Sequence, residues 1–246
     1  MWSPEQYQRF EKQRGQPFYD LLALVEPRSR MHVVDLGCGT GALTLQLHHS
    51  LNAGETVGID SSAEMLIKAG AHATPSLRFE LGEIETFVAN DLDVLFSNAA
   101  LHWIPDHESL FPRLISFLGS SGQLAVQMPC NDHHPSHRVA REVAASFGLT
   151  PQRADLLPPE RYASILHQAG MARQHVRVQV YGHLLPSAAD VVEWVKGSTL
   201  TEYREALGPH RYEEFVAEYW RRLSAEIGQG ENYFYTFQRM LIWGAR

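Results

Sequence analysis

The sequence predicts an α/β fold, an open and mostly parallel sheet with helices on both faces. Three observations carry that reading. Short β-branched apolar runs alternate along the chain with apolar segments of helical period, the pattern of repeated strand–helix–strand units. The run Val33-Val34-Asp35-Leu36 leads into Gly37-Cys38-Gly39-Thr40-Gly41 and then into Ala42-Leu43-Thr44-Leu45-Gln46-Leu47, which reads as strand, glycine turn, helix. Glycine tolerates positive φ and lets a ligand approach the backbone, and a helix start offers free N–H groups to an anionic part of that ligand. Finally, Thr56-Val57-Gly58-Ile59-Asp60 is a second apolar run ending in an acid, 19 residues after Gly41. An acid at that strand tip is where a doubly wound fold receives the ribose hydroxyls of a nucleotide.

Bulk properties narrow the function classes. A chain of 246 residues can bury a full core as one α/β domain, with or without an inserted cap. A net charge of −7 argues against a general nucleic-acid binder, which usually presents a basic face. Two cysteines, Cys38 and Cys130, do not make a disulfide framework, and Cys38 reads as a small packing residue inside the turn. Met1-Trp2-Ser3-Pro4-Glu5 leads into charge rather than an apolar leader, and no window approaches the ~18 apolar residues of a membrane span. The expectation is a cytoplasmic monomer with no membrane or nucleic-acid partner.

Taken in order, Ser3-Pro4-Glu5-Gln6 is a capped helix start, with the helix running towards Gly15 and placing Tyr7, Phe10 and Arg14 on one face. These side chains either pack on the domain or form a lid over its ligand. A second helix spans Phe18 to Val25. After Asp60, Ser62 opens a helix with Met65, Leu66 and Ala69 inward, and Leu77 to Glu80 is a third strand followed by Leu81-Gly82-Glu83-Ile84. Leu92 to Asn98 is the fourth strand, and Asn98-Ala99-Ala100-Leu101-His102-Trp103 lies beyond its carboxyl end, where ligands of such sheets sit. A helix over Pro105 to Leu118, a turn at Ser120-Ser121-Gly122 and a fifth strand, Gln123 to Met128, follow.

His133, His134 and His137 suggest a metal site, but Pro135 interrupts regular ligand geometry and no Cys or Glu stands nearby at motif spacing, so a polar connection and no metal are expected. Helices are predicted over Ser136 to Phe147 and Pro159 to Ala169. Val176-Arg177-Val178-Gln179-Val180 alternates as a half-buried strand should. Residues 183–230 read as helices, Ser187 to Val195, Leu200 to Leu207 and Pro209 to Ile227, before a last strand over Tyr233 to Trp243. A helical insertion of that size is either a cap that shapes a substrate pocket or a packing extension. The domain reading is therefore an N-terminal lid (1–30), a core (31–182), a cap (183–230) and a last core strand (231–246).

The spacing G-x-G-x-G with an acid two residues ahead does not match the nicotinamide-cofactor fingerprint G-x-G-x-x-G, which argues against an oxidoreductase. It resembles motif I of the class I S-adenosyl-L-methionine (SAM) methyltransferases, and Gly58-Ile59-Asp60-Ser61-Ser62 resembles their motif II. Further features are similar to the trans-aconitate 2-methyltransferase family: Trp2-Ser3-Pro4 with Tyr7, Phe10 and Arg14, the stretch Ser97 to His107, Leu124 to Pro129, Trp194-Val195 and Phe237-Gln238-Arg239. Two departures stand out. The Gly-Leu-Arg-Pro run usual after the cap tryptophan is replaced by Gly197-Ser198-Thr199-Leu200-Thr201-Glu202, and Gln238 stands where proline usually precedes the closing arginine.

The resemblance implies a Rossmann-like seven-stranded sheet and methyl transfer from SAM to a carboxylate of a small organic acid, trans-aconitate or a related polycarboxylate, leaving S-adenosyl-L-homocysteine. It implies cofactor contacts from Asp35, Gly37, Cys38, Gly39, Asp60, Ser61, Met65, Glu83, Ile84, Asn98, Ala99 and Arg14. The candidates for holding substrate are Tyr7, His102, Trp103, Trp194, Lys196, Tyr203, Tyr235 and Arg239. No catalytic base is expected, because a carboxylate with a pKa near about 4 is already the nucleophile at neutral pH; His102 and Trp103 stand at the transfer site. A hydroxyl or nitrogen acceptor is the alternative within the class, and a non-catalytic SAM-binding protein the alternative outside it.

Overall fold

The computed structural model describes residues 11–150, 156–197 and 199–246, with side chains from residue 15 onward. The expected roles of Trp2, Ser3, Pro4, Tyr7 and Phe10, and of the Arg14 and Ser198 side chains, therefore lie outside the described residues. Seven strands form one sheet: β1 (His32–Leu36), β2 (Glu55–Asp60), β3 (Leu77–Leu81), β4 (Leu92–Asn98), β5 (Leu118–Pro129), β6 (Arg173–Ser187) and β7 (Glu231–Ala245). Their order is β3-β2-β1-β4-β5-β7-β6. Strands β1 to β5 are parallel, and β7 is antiparallel to β5. The order reverses between β1 and β4, which opens a crevice at the carboxyl ends of those two strands.

The helices are α1 (Glu11–Leu22), α2 (Ala42–Leu51), α3 (Ala63–Ala69), α4 (His107–Ser116), α5 (Pro135–Ser146), α6 (Pro159–Gln168), α7 (Asp190–Lys196) and α8 (Thr201–Ile227). Ser62 caps α3 by accepting from the Met65 N–H at 3.3 Å, as its sequence position predicts. Gly208, with φ 69° and ψ 171°, breaks α8 into two segments, matching the predicted division before Pro209.

The chain divides into two compact units. One comprises Pro17–Pro129, Arg153–Gln179 and Arg239–Arg246; the other draws on Met1–Gln16, Cys130–Gln152 and Val180–Gln238. In the first, Phe18 and Leu21 of α1 join Val33, Val94, Phe96, Ala125 and Leu241 in one apolar cluster. In the second, α5, α7 and α8 bury Val139, Val143, Val191, Val195, Phe215 and Leu223 together.

Four local expectations are corrected. The predicted break at Gly15 is absent; α1 runs through Gly15 and Pro17, where burial of Phe18 and Leu21 offsets the roughly 1 kcal/mol that a glycine and about 3 kcal/mol that a proline cost a helix interior. Helix α4 starts at His107 rather than Pro105, because Asp106 (φ 56°) caps it by accepting from the Ser109 N–H. The expected turn at Ser120-Ser121-Gly122 is absorbed into β5 as an irregularity, where the pairing on β4 shifts between Leu92 and Val94. In β6 the alternation runs opposite to expectation: Val178 and Val180 are 41% and 53% exposed, while Arg177 and Gln179 are half-buried. Side chains alternate strictly along a strand, so burial of the larger Tyr181 and Leu185 puts the odd-numbered residues inward and turns the valines out.

Candidate active site

The glycine turn joins β1 to α2. Gly37 (φ 78°), Gly39 (φ 56°) and Gly41 (φ 76°) all adopt left-handed backbone. A Cβ on Gly37 would sit 2.2 Å from the Ala100 Cβ, so this glycine is required by the close approach of the loop after β4. A Cβ on Gly39 would meet nothing within 4 Å, so beside that residue the backbone borders open space. The Gly37 and Cys38 N–H groups donate to the Ile59 carbonyl at 2.8 and 3.0 Å, which ties the turn to β2.

Asp60 completes that tie. Its Oδ2 accepts from the Gly39 N–H at 2.8 Å and its Oδ1 from the Ser62 N–H at 2.9 Å. A carboxylate has about four acceptor positions, so each oxygen retains capacity for a further donor. Asp35 is 4% exposed, and its Oδ2 accepts from the Thr44 hydroxyl at 2.7 Å. Burial raises its pKa to about 7 against the pull of that hydrogen bond, with the nearby Asp60 charge pushing the same way. Burial also raises the Cys38 thiol far above its ordinary range, which makes it a packing residue rather than a nucleophile.

Beyond β3, Glu83 is exposed and Ile84 half-buried. Their loop is clamped by Arg113 of α4, which donates to the Ile84 and Phe87 carbonyls, each at 2.7 Å. Beyond β4, Ala99 takes φ 57° and its N–H donates to the Gln127 carbonyl at 2.9 Å. The next residues form a 3₁₀ turn, Leu101–Trp103, with His102 buried and Trp103 45% exposed. The two rings stand 4.8 Å apart. His107 holds this turn through Nε2, 2.9 Å from the Leu101 carbonyl, while its Nδ1 meets the Tyr162 hydroxyl. Burial lowers the His107 pKa, so the ring is neutral; a carbonyl only accepts, so Nε2 carries the proton and Nδ1 accepts from the tyrosine. Two buried amide atoms at this edge meet no protein partner among the described residues: Asn98 Oδ1 at the end of β4 and Gln127 Nε2 beside it on β5. Each such atom costs roughly 1–3 kcal/mol, a cost that is usually kept where a ligand relieves it.

Comparison with known proteins matches these features to named ones. A methyltransferase domain family matches residues 27–170. A Deinococcus radiodurans protein named trans-aconitate 2-methyltransferase is 40% identical over 255 residues, covering 100% of this chain and 98% of its own. An Agrobacterium fabrum protein of the same name is 38% identical over 232 residues, covering 91% and 90%. The chain belongs to the SAM-dependent methyltransferases. Among solved structures, the YcgJ protein from Bacillus subtilis aligns with a TM-score of 0.63 at 15% identity, covering 94% of this chain and 98% of its own. Haemonchus contortus phosphoethanolamine N-methyltransferase 2, in complex with SAM, aligns with a TM-score of 0.58 at 15% identity, covering 94% and 52%. At that identity the likeness is one of fold.

The methyltransferase's residues fit its cofactor, SAM. The open side of Gly39, the spare acceptor capacity of Asp60 and the orphaned Asn98 Oδ1 lie at the carboxyl ends of β1, β2 and β4, on the acceptor-rich side a cationic amino-acid group and ribose hydroxyls need. Ser61 and Met65, expected beside the adenine, follow Asp60 in the chain, Ser61 exposed and Met65 half-buried.

The expected substrate residues divide between the units. His102, Trp103 and Arg239 belong to the first, where Arg239 pairs with Pro129, the last residue of β5. Trp194, Tyr203 and Tyr235 belong to the second and are 4%, 2% and 0% exposed in its aromatic core. Lys196 makes an ion pair with Glu193 at 2.6 Å. The histidine-rich segment serves that same unit: His134 caps α5, and the Ser136 hydroxyl bridges His137 Nδ1 at 3.0 Å and the Tyr235 hydroxyl at 3.4 Å. No group of three metal-binding side chains occurs among the described residues. No helix among them is long and apolar enough to cross a membrane. Sequence reading missed Thr44, Arg113 and Gln127 as site residues; of these Gln127 had a signal, an amide inside the otherwise apolar run Leu124 to Met128.

Proposed function

We propose that this methyltransferase acts on a carboxylate of a small organic acid, trans-aconitate or a related polycarboxylate, and releases the methyl ester. The observation that carries the reading is full-length similarity, 40% identity across the whole chain, to a protein named trans-aconitate 2-methyltransferase. SAM, when bound, supplies an activated methyl on a sulfonium. What is left to the chain is positioning in a site shielded from water. Asp60 receives the ribose hydroxyls, the turn from Gly37 to Gly39 receives the methionine part, and Asp35 orders that turn through Thr44. Glu83 and Ile84 hold the adenine on the loop clamped by Arg113, with Ser61 and Met65 beside it. His102 and Trp103 line the transfer site. Residues 183–230 act as the substrate cap, with Lys196 and Arg239 as candidate partners for the acceptor's charge and Trp194, Tyr203 and Tyr235 shaping the cap from within. Tyr7 and Arg14, ahead of the core residues Phe18 and Leu21, serve as lid contacts. The protein acts as a cytoplasmic monomer on a small-molecule substrate, without a nucleic-acid partner.

The test is transfer of radiolabelled methyl from SAM across a panel of small di- and tricarboxylic acids, with alkaline treatment of the product. A methyl ester releases volatile labelled methanol in base. Base-stable label overturns the carboxylate reading in favour of a hydroxyl or nitrogen acceptor.

A further inference from the structure

Gln127 is 1% exposed, and its Nε2 finds no acceptor among the described residues. Residues directly opposed in a sheet share a face, so Gln127 stands with Asn98 of β4 on one side and Leu241 of β7 on the other. Leu241 offers no acceptor, and the Asn98 Oδ1 is itself unpaired. Gln127 is level with the last residue of β4, at the carboxyl edge of the sheet where ligands of this architecture sit. Along that edge the polar groups follow the strand order: Asp60 on β2, the glycine turn after β1, Asn98 on β4, then Gln127 on β5. In the reading above the first two receive the nucleoside and methionine parts of the cofactor. Gln127 stands further along the edge, beyond Asn98.

We propose that Gln127 positions the methyl acceptor, its Nε2–H donating to the carboxylate oxygen that is not methylated. This rests on the carboxylate reading above. The other oxygen keeps its lone pair for the methyl carbon. As the O–CH₃ bond forms, the CH₃–S bond breaks and its electron pair goes to sulfur. The carboxylate and sulfonium charges cancel, leaving a neutral ester and a thioether, and no proton moves. A neutral amide suits this step better than an arginine fork, because it orients the carboxylate without drawing off the charge that makes it nucleophilic.

The experiment compares the full-length wild type with Gln127→Met and Gln127→Glu, both close to the native side chain in size. SAM affinity is measured by calorimetry, and kcat/KM for the fastest carboxylic acid by methyl transfer. SAM affinity should stay within about twofold, which also reports that the variants fold, while acceptor kcat/KM falls roughly 10- to 100-fold in the Met variant. The Glu variant should fall further near about pH 8 and recover towards about pH 5.5, because burial at this position raises a carboxyl's pKa above its ordinary range and the protonated form donates again; the Met variant should show no such recovery. Wild-type kcat/KM in both variants overturns the assignment, as does a loss of SAM affinity equal to the loss in kcat/KM. If the wild type binds SAM but esterifies no acid, the carboxylate reading fails and this assignment with it.

Discussion

Two aspartates near the glycine turn have opposite electrostatic situations, and each gives a prediction. Asp60 is a partly exposed carboxylate held by two backbone N–H groups, with acceptor capacity left for a ribose. Replacing it with Asn keeps the shape but removes the charge and turns one of the two accepting oxygens into an NH₂ donor, so one of the two backbone N–H groups loses its acceptor. Asp60→Asn should weaken SAM binding by roughly 10- to 100-fold, and calorimetry giving wild-type affinity would take Asp60 out of the site. Asp35 is buried with one hydroxyl donor, and its pKa is raised to about 7. The unfolded chain loses that proton near about pH 4, so between the two values the native state binds the extra proton. Stability measured without cofactor should therefore fall as pH rises from about 4 to about 7, with the full cost of the buried charge present above that range. Asp35→Asn, which cannot ionise, should be more stable than wild type by on the order of 2–4 kcal/mol near about pH 8 and show no such gain near about pH 4. Urea denaturation at the two pH values reads the difference directly; an equal difference at both would show that Asp35 does not titrate between them.

At the scale of elements, the turn between β1 and α2 separates what folding needs from what binding needs. Gly37→Ala meets both a positive φ and a contact of 2.2 Å with the Ala100 Cβ, so it should destabilise the protein by on the order of 3–5 kcal/mol. Gly39→Ala has open space around it and pays for φ alone, about 1–2 kcal/mol, yet its methyl would stand in the space left for the cofactor. The expected outcome is a folded Gly39 variant with SAM affinity reduced more than tenfold; unchanged affinity would move the cofactor away from this face of the turn. That turn was readable in the sequence because its requirements are local: β-branched residues, glycines and a terminal acid lie next to one another. The strand runs of β1 to β4 were readable for the same reason. The inward face of β6 was not, because its parity is decided by Tyr181 and Leu185 further along the strand rather than by the valine alternation itself. Arg113 was not, because its work is done on the carbonyls of Ile84 and Phe87, distant in sequence and without a side-chain signature. The cap aromatics Trp194, Tyr203 and Tyr235 were ambiguous in the sequence because the composition of a binding site is also that of a well-packed core, and here they are buried in one.

For the whole molecule, the charge state of the acceptor sets how activity depends on pH. The chain has thirteen histidines, and one of them, His102, is buried beside Trp103 just after β4. A histidine there suggests a general base, but the proposed acceptor leaves a base nothing to do. Above about pH 6 a carboxylate with a pKa near about 4 is more than nine-tenths ionised, so its nucleophilic form is already the abundant one. A phenol or ammonium acceptor is scarce in its nucleophilic form at neutral pH, and a group titrating near about 6.5 would then help. Elsewhere in the fold, burial lowers the pKa values of His48, His107, His134 and His183, which favours their neutral forms. With SAM saturating, so that the titration of Asp35 at about 7 in the cofactor-free protein is not read, the profile of kcat/KM for the best acceptor should therefore be nearly flat from about pH 6.5 to about pH 8.5, and His102→Gln should keep at least roughly a tenth of the activity, the ring serving to shape the pocket. A rising limb near about pH 6.5 that disappears in the His102 variant would mean that a proton is being removed in the transition state, and would shift the acceptor from a carboxylate to a hydroxyl or an amine.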